Sequence, residues 1–178
     1  MAPARFTART VQSLALVDAR AWDSCANPAG LSEPAAAGER YNPFVSHAFL
    51  IALEQSKSVG ARTGWTPAHI LVEDVAGRLV AAAPAYLKTH SMGEYVFDHS
   101  WAQAYEHAGG RYYPKLQIAA PFTPVTGRRL LVAADAPEGA REALIAALRG
   151  LLQASGAMRL MVLRLREASA ARNASKSA

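Results

Sequence analysis

A single cysteine, Cys25, stands in this chain of 178 residues, so no internal disulfide framework is possible and no cysteine cluster is available for zinc. One thiol suits a reducing compartment, where its ordinary role is that of a small buried hydrophobe. Long apolar runs are also missing. The longest, "LVAAAPAYL" (Leu79–Leu87), carries Pro84 and falls far short of the ~20 residues of a membrane-spanning helix. Near the N-terminus "VQSLALV" is followed at once by Asp18, with no cleavage-site pattern, and reads as no secretory signal. The cytoplasm is the expected compartment.

Charge of one sign is scarce in the body of the chain. The formal net charge is +5, but Arg159, Arg164, Arg166, Arg172 and Lys176 against Glu167 place most of that excess beyond Ser155. A surface built to hold nucleic acid is expected to concentrate cations on the folded body. A nucleic-acid reading would rest on the tail alone, with steep salt dependence as its mark.

What is present is an interleaved pattern of short apolar runs and amphipathic helices. "TVQSLALVD" reads as a first strand, and Asp18 as the N-cap of a helix "ARAWDSCA". The stretch "NPAGLSEPAAAGER" is a loop. After the Asn42-Pro43 turn, Ser46 caps a second helix with Phe49, Leu50 and Leu53 on one face. "WTPAHILVEDV" and "RLVAAAPAYLK" form a hairpin around Gly77, and Pro84 argues for an edge or a bulge because it cannot donate to a ladder. A third helix opens near Asp98, with Trp101 and Tyr105 expected inward and His99 and Glu106 outward. Strands follow at "YPKLQIAAPF" and "GRRLLVAA". A strong helix comes next, with Pro137 in its first turn, Leu144, Ala147, Leu148 and Leu151 as its stripe and Gly156 past its end. "MRLMVLRLR" is a last strand, and "EASAARNASKSA" a polar tail expected to be disordered. The order β, α, α, β, β, α, β, β, α, β is that of an α/β or α+β layered domain.

The chemistry-bearing residues gather in one segment. Of fourteen aromatic residues, seven lie between Tyr95 and Phe122, together with His99 and His107. Compact metal-ligand spacing, nucleophile elbows, phosphate loops and dinucleotide fingerprints are all missing, so metal is not expected. Two prolines and Gly127 shape the loop "APFTPVTGRR", where Arg128 and Arg129 either meet an anion or flank a strand.

The blocks "SHAFL", "GEYVFD" and "YYPKLQ", within a match over roughly Trp22 to Leu152, resemble the FemAB-like predicted N-acyltransferases, relatives of the GNAT superfamily. The resemblance implies a mixed, mostly antiparallel sheet flanked by helices, one half of a tandem GNAT-like pair. On that basis residues 1–21 are a lead-in strand, 22–166 the domain and 167–178 the tail. The implied reaction moves an acyl or aminoacyl group from acyl-CoA or aminoacyl-tRNA to a small-molecule or peptide amine, with acyl-CoA a co-substrate and no tightly bound cofactor. Glu94, Asp98, His99 and Tyr105 are then candidates for base or positioning groups. Trp101, Tyr112, Tyr113 and Lys115 would line the acceptor cleft, and Gly139, Ala140 and Arg141 mark the turn where such folds hold a diphosphate. That turn, "DAPEGAR", departs from the family pattern by its single glycine and its two acids, Asp135 and Glu138. Family members are expected to continue through a second domain. The chain therefore reads as a truncated first half, with the activity of the short form left open. The alternative is a non-catalytic binding or interaction module that self-associates through the surface a partner domain would cover.

Overall fold

The computed structural model describes residues 6–28, 41–94, 99–157 and the backbone of 160–162. Two four-stranded sheets share one long hairpin. The first has the order β1 (Thr7–Val11), β3 (His69–Glu73), β4 (Leu79–Ala83), β7 (Leu131–Val132). The second has the order β2 (Trp65–Pro67), β5 (Ala85–Lys88), β6 (Lys115–Ile118), β8 (Leu160–Val162). Every pairing is antiparallel except β6 with β8. Among the described residues four α-helices flank the sheets: α1 (Ala19–Ala26), α2 (His47–Gln55), α3 (His99–His107) and α4 (Ala140–Ala154). With each bent hairpin arm counted once, this is the order expected from the sequence.

Pro84 is neither at an edge nor in a bulge. It lies where the arm β4–β5 passes from one sheet to the other, with strands on both sides. Its missing N–H falls at the changeover, while its carbonyl accepts Ala119 N–H at 3.2 Å and Ala85 O accepts Ala68 N–H at 2.8 Å. On the far side of that arm, β6 and β7 lie end to end, separated by the excursion 120–130.

Strand alternation then sorts the side chains. One face carries Ile70, Val72, Ala83, Ala85, Leu116 and Ile118 against Leu144 and Leu148 of α4. The opposite face carries Leu71, Ala82 and Leu131, which meet Trp22, Cys25 and Leu50 under α1 and α2. Helix starts follow their caps: Asp18 accepts Ala21 N–H at 2.8 Å and Ser46 accepts Phe49 N–H at 3.3 Å.

Three local expectations shift. The first strand ends at Val11 rather than Asp18. Ser13 instead caps a 3-10 turn at Leu14–Leu16, and its hydroxyl donates to Glu54 at 2.7 Å. Helix α4 starts at Ala140, with Pro137 upstream of it, because Gly139 takes a left-handed conformation (φ 90°) that breaks the helix. On α3, Trp101 is 71% exposed and Ala102 is the buried residue, so the helix turns its small side chain inward. Asp98, the loop at 29–40 and the tail 167–178 lie outside the described residues.

Candidate functional site

Where α1 and α2 no longer cover the sheet, its face turns polar yet stays buried. The alternation that places Leu71 and Ala82 under the helices places Trp65 on β2, Tyr86 and Lys88 on β5, and Lys115 and Gln117 on β6 along the same face. Trp65, Tyr86, Lys88, Lys115 and Gln117 are each at most 1% exposed. The β5–β6 register sets Lys88 opposite Lys115. Like charges directly opposite repel, and a carboxylate separates them. Glu94, 4% exposed, accepts Lys115 Nζ at 2.8 Å through Oε2, and its Oε1 stands 3.8 Å from Lys88 Nζ.

The loop that delivers Glu94 is held from below. Met92 O accepts both Lys88 Nζ at 3.0 Å and Trp65 Nε1 at 3.2 Å. Lys88 Nζ lies 3.7 Å from the centroid of the Trp65 ring, where the π face favours a cation. Phe122, in a left-handed conformation (φ 58°), covers Trp65 with ring centroids 5.4 Å apart. On the other flank, Lys115 Nζ is 5.9 Å from the Tyr112 ring and 5.6 Å from the Tyr113 ring. The Tyr113 hydroxyl is hydrogen-bonded to Ser91. Burial pushes the Tyr86 phenol far above its ordinary range, so it stays neutral.

Burying three charged side chains together costs several kcal/mol per ion before their mutual attraction is counted, and an apolar replacement of such a group is often as stable. Stability is therefore a poor reason for this cluster, and a ligand is a better one. Side by side, two ammonium groups, a carboxylate, two hydroxyls and an amide can hold an anionic or developing oxyanionic group and take up a proton.

Residues 13–177 match the FemAB-like family, described as one of peptidoglycan biosynthesis/recognition. The chain belongs to that family. The crystal structure of a Trypanosoma brucei acetyltransferase is similar over 89% of this chain and 82% of that one, at 14% identity and a TM-score of 0.44. No curated protein matches.

In this FemAB-like chain the residues singled out from sequence divide into three groups. Glu94, Tyr112, Tyr113 and Lys115 come together on the polar face. His99 and Trp101 sit on the solvent side of α3. Tyr105, half-buried on the same helix, meets the Tyr112 ring at 6.2 Å and so borders the group from outside. Asp98 is not among the described residues. Gly139, Ala140 and Arg141 form the start of α4, on the opposite side of the sheet. There Ala140 N–H is already bonded to Pro137 O at 3.2 Å and Ala140 is buried, while Arg141 and Glu142 are exposed. Asp135 pairs with Arg78.

Sequence reasoning missed Trp65, Tyr86, Lys88 and Gln117. Their signal was the alternation in "AYLK" and "KLQI", which puts polar residues at every second position. That pattern is ordinarily read as a solvated face, and only the covering loops reveal it as interior. Among the described residues no cluster of three or more metal-ligating side chains occurs, and no helix is long and apolar enough to cross a membrane.

Proposed function

We propose that this chain is an N-acyltransferase of the GNAT/FemAB-like type, moving an acyl or aminoacyl group to an amine on the polar face of β5 and β6. The observation that carries the reading is the buried Lys88–Glu94–Lys115 group, set in a chain of this family. In such a reaction the amine nitrogen attacks the donor's carbonyl carbon and the carbonyl oxygen becomes an oxyanion. The C–S bond of a thioester, or the C–O bond of an aminoacyl ester, then breaks. The proton lost by the amine passes to the leaving thiolate or alkoxide. In this reading Lys115 and Lys88 supply fixed positive charge to the oxyanion, and Glu94 holds them in place and relays the amine's proton.

Regarding the donor, the start of α4 offers a poor seat for a diphosphate and leaves the choice between thioester and aminoacyl ester open. Glu138 and Glu142 there oppose an anion that a helix N-terminus would otherwise attract, and Asp135 is already paired with Arg78.

The test is transfer of a labelled acyl group from acetyl-CoA, long-chain acyl-CoA and aminoacyl-tRNA to amine acceptors. The purified chain should transfer from at least one donor, and Lys115→Met should slow that transfer by at least about 100-fold while leaving the protein folded, the scale of a lost oxyanion contact. No transfer from any donor, or full activity in Lys115→Met, would refute it. A second reading, a binding module without turnover that self-associates, is favoured by the exposure of Trp101, Met92 (67%) and Phe122 (42%). Sedimentation showing a monomer at all concentrations would remove it.

A further inference from the structure

Gln117 is fully buried (0% exposed), yet among the described residues neither Oε1 nor Nε2 has a hydrogen-bond partner. Buried side-chain amides in folded proteins are nearly always paired, so two idle atoms on one residue call for an occupant. The position is specific. Gln117 pairs across the ladder with Tyr86, two register positions from the Lys88–Lys115 pair and so on the same face. Its Cα lies about 7 Å along the strand from that of Lys115, the two-residue repeat of a strand. Its amide thus lies within the polar group rather than in the apolar layer under α4.

We propose that Gln117 is a recognition residue that holds an amide group of the bound substrate. This rests on the reading that the polar face is where substrate lies. The chemistry of the side chain selects the partner. A glutamine amide offers two donors on nitrogen and an acceptor oxygen. A carboxylate would satisfy only the nitrogen and an ammonium only the oxygen. An amide satisfies both in one planar pair. Such a group occurs in an amide-bearing acceptor and also in the pantetheine arm of an acyl-CoA donor.

Both sources can be tested on the full chain by titration with N-acetylalaninamide, with pantetheine, and with methyl 2-acetoxypropanoate, an ester that lacks the N–H. Wild type should bind at least one amide probe about tenfold tighter than the ester, ~1.4 kcal/mol. Gln117→Met, of similar size and without the amide, should erase that preference. Loss confined to N-acetylalaninamide assigns the group to the acceptor, and loss confined to pantetheine assigns it to the donor. Equal binding of amides and ester by wild type, or a preference that survives Gln117→Met, overturns the proposal. The variant's thermal midpoint gives a second check. It should be unchanged or higher, because an idle buried amide has been removed. A marked fall, or failure to fold, would show that the amide serves the fold and would also overturn the proposal. Transfer activity unaffected by Gln117→Met sinks this assignment and spares the transferase reading. Amide selectivity without transfer from any donor does the reverse.

Discussion

Two side chains outside the polar face show how single residues set the properties of the fold. Glu54 on α2 joins three elements. It accepts Ser13 Oγ at 2.7 Å and Leu14 N–H at 3.2 Å, and it meets Nε2 of the fully buried His69 at 3.2 Å. Ala85 N–H donates to His69 Nδ1, so Nε2 is the ring nitrogen that carries the proton toward Glu54. Burial alone would raise the Glu54 carboxyl, but the bonds from His69, Ser13 and Leu14 outweigh it and hold the group below its ordinary value. A carboxylate lowered in the folded state stabilises fully above its unfolded value of about 4.3, and that contribution disappears as pH falls through the lower folded value. Urea denaturation should therefore show Glu54→Gln weaker than wild type by about 2 kcal/mol at pH 7, the scale of leaving buried partners unmatched. The deficit should shrink as both proteins are taken into acid. Cys25 illustrates the opposite shift: burial pushes its thiol up to about 11, so it is neutral at pH 8 and closed to attack. Ellman's reagent should label it only through unfolding, and rapid labelling of the folded chain would contradict its place on the buried face of α1.

At the scale of elements, caps and turns make definite predictions. Asp18→Ala removes the bond to Ala21 N–H and should cost about 1 kcal/mol of stability, as N-caps do, readable as a lower denaturation midpoint with an unchanged slope. Gly93→Ala tests how the 89–94 loop meets the site. Gly93 has φ 79°, and a Cβ there would stand 2.5 Å from the Phe122 ring and 3.0 Å from Trp65 Nε1. The variant should push Phe122 off Trp65, visible as a changed tryptophan emission spectrum, and should weaken substrate binding more than it weakens the fold. These elements were legible from sequence because their signals are local: Asp18 and Ser46 before apolar periodicity, Gly77 between two apolar arms, Leu144 and Leu148 four apart. The polar face was only half legible. Tyr112, Tyr113 and Lys115 lie in the aromatic-rich segment that drew attention and Glu94 stands just before it, whereas the polar alternation of Lys88 and of Gln117 becomes interior only through loops that pack over it. Trp101 was misplaced because helical spacing fixes which residues share a face but not which face turns inward, and Ala102 won that contact.

For the molecule as a whole, burial is uneven. Strands β3 and β4 are covered on both faces, by α1 and α2 on one side and α4 on the other, whereas α3 has only Ala102 fully buried. Local opening follows such differences. Hydrogen exchange should accordingly be slowest across 69–83 and orders of magnitude faster across 99–107, and equal protection of the two would contradict this packing. The excursion between β6 and β7 carries a further consequence. One ladder closes with Ala119 N–H on Pro84 O before the chain leaves, and pairing resumes at Leu131, with Ala133 N–H on Val80 O beyond it. The partly exposed middle of this excursion, 122–127, can thus be reshaped with every strand bond on either side kept in register, while buried Ala120 and Arg129 hold its ends. Phe122, which caps Trp65 beside the lysines, rides on that span. A change of roof can be made there while the foundations stay as they are, and a graft of this one loop is the natural route by which a different guest would be admitted.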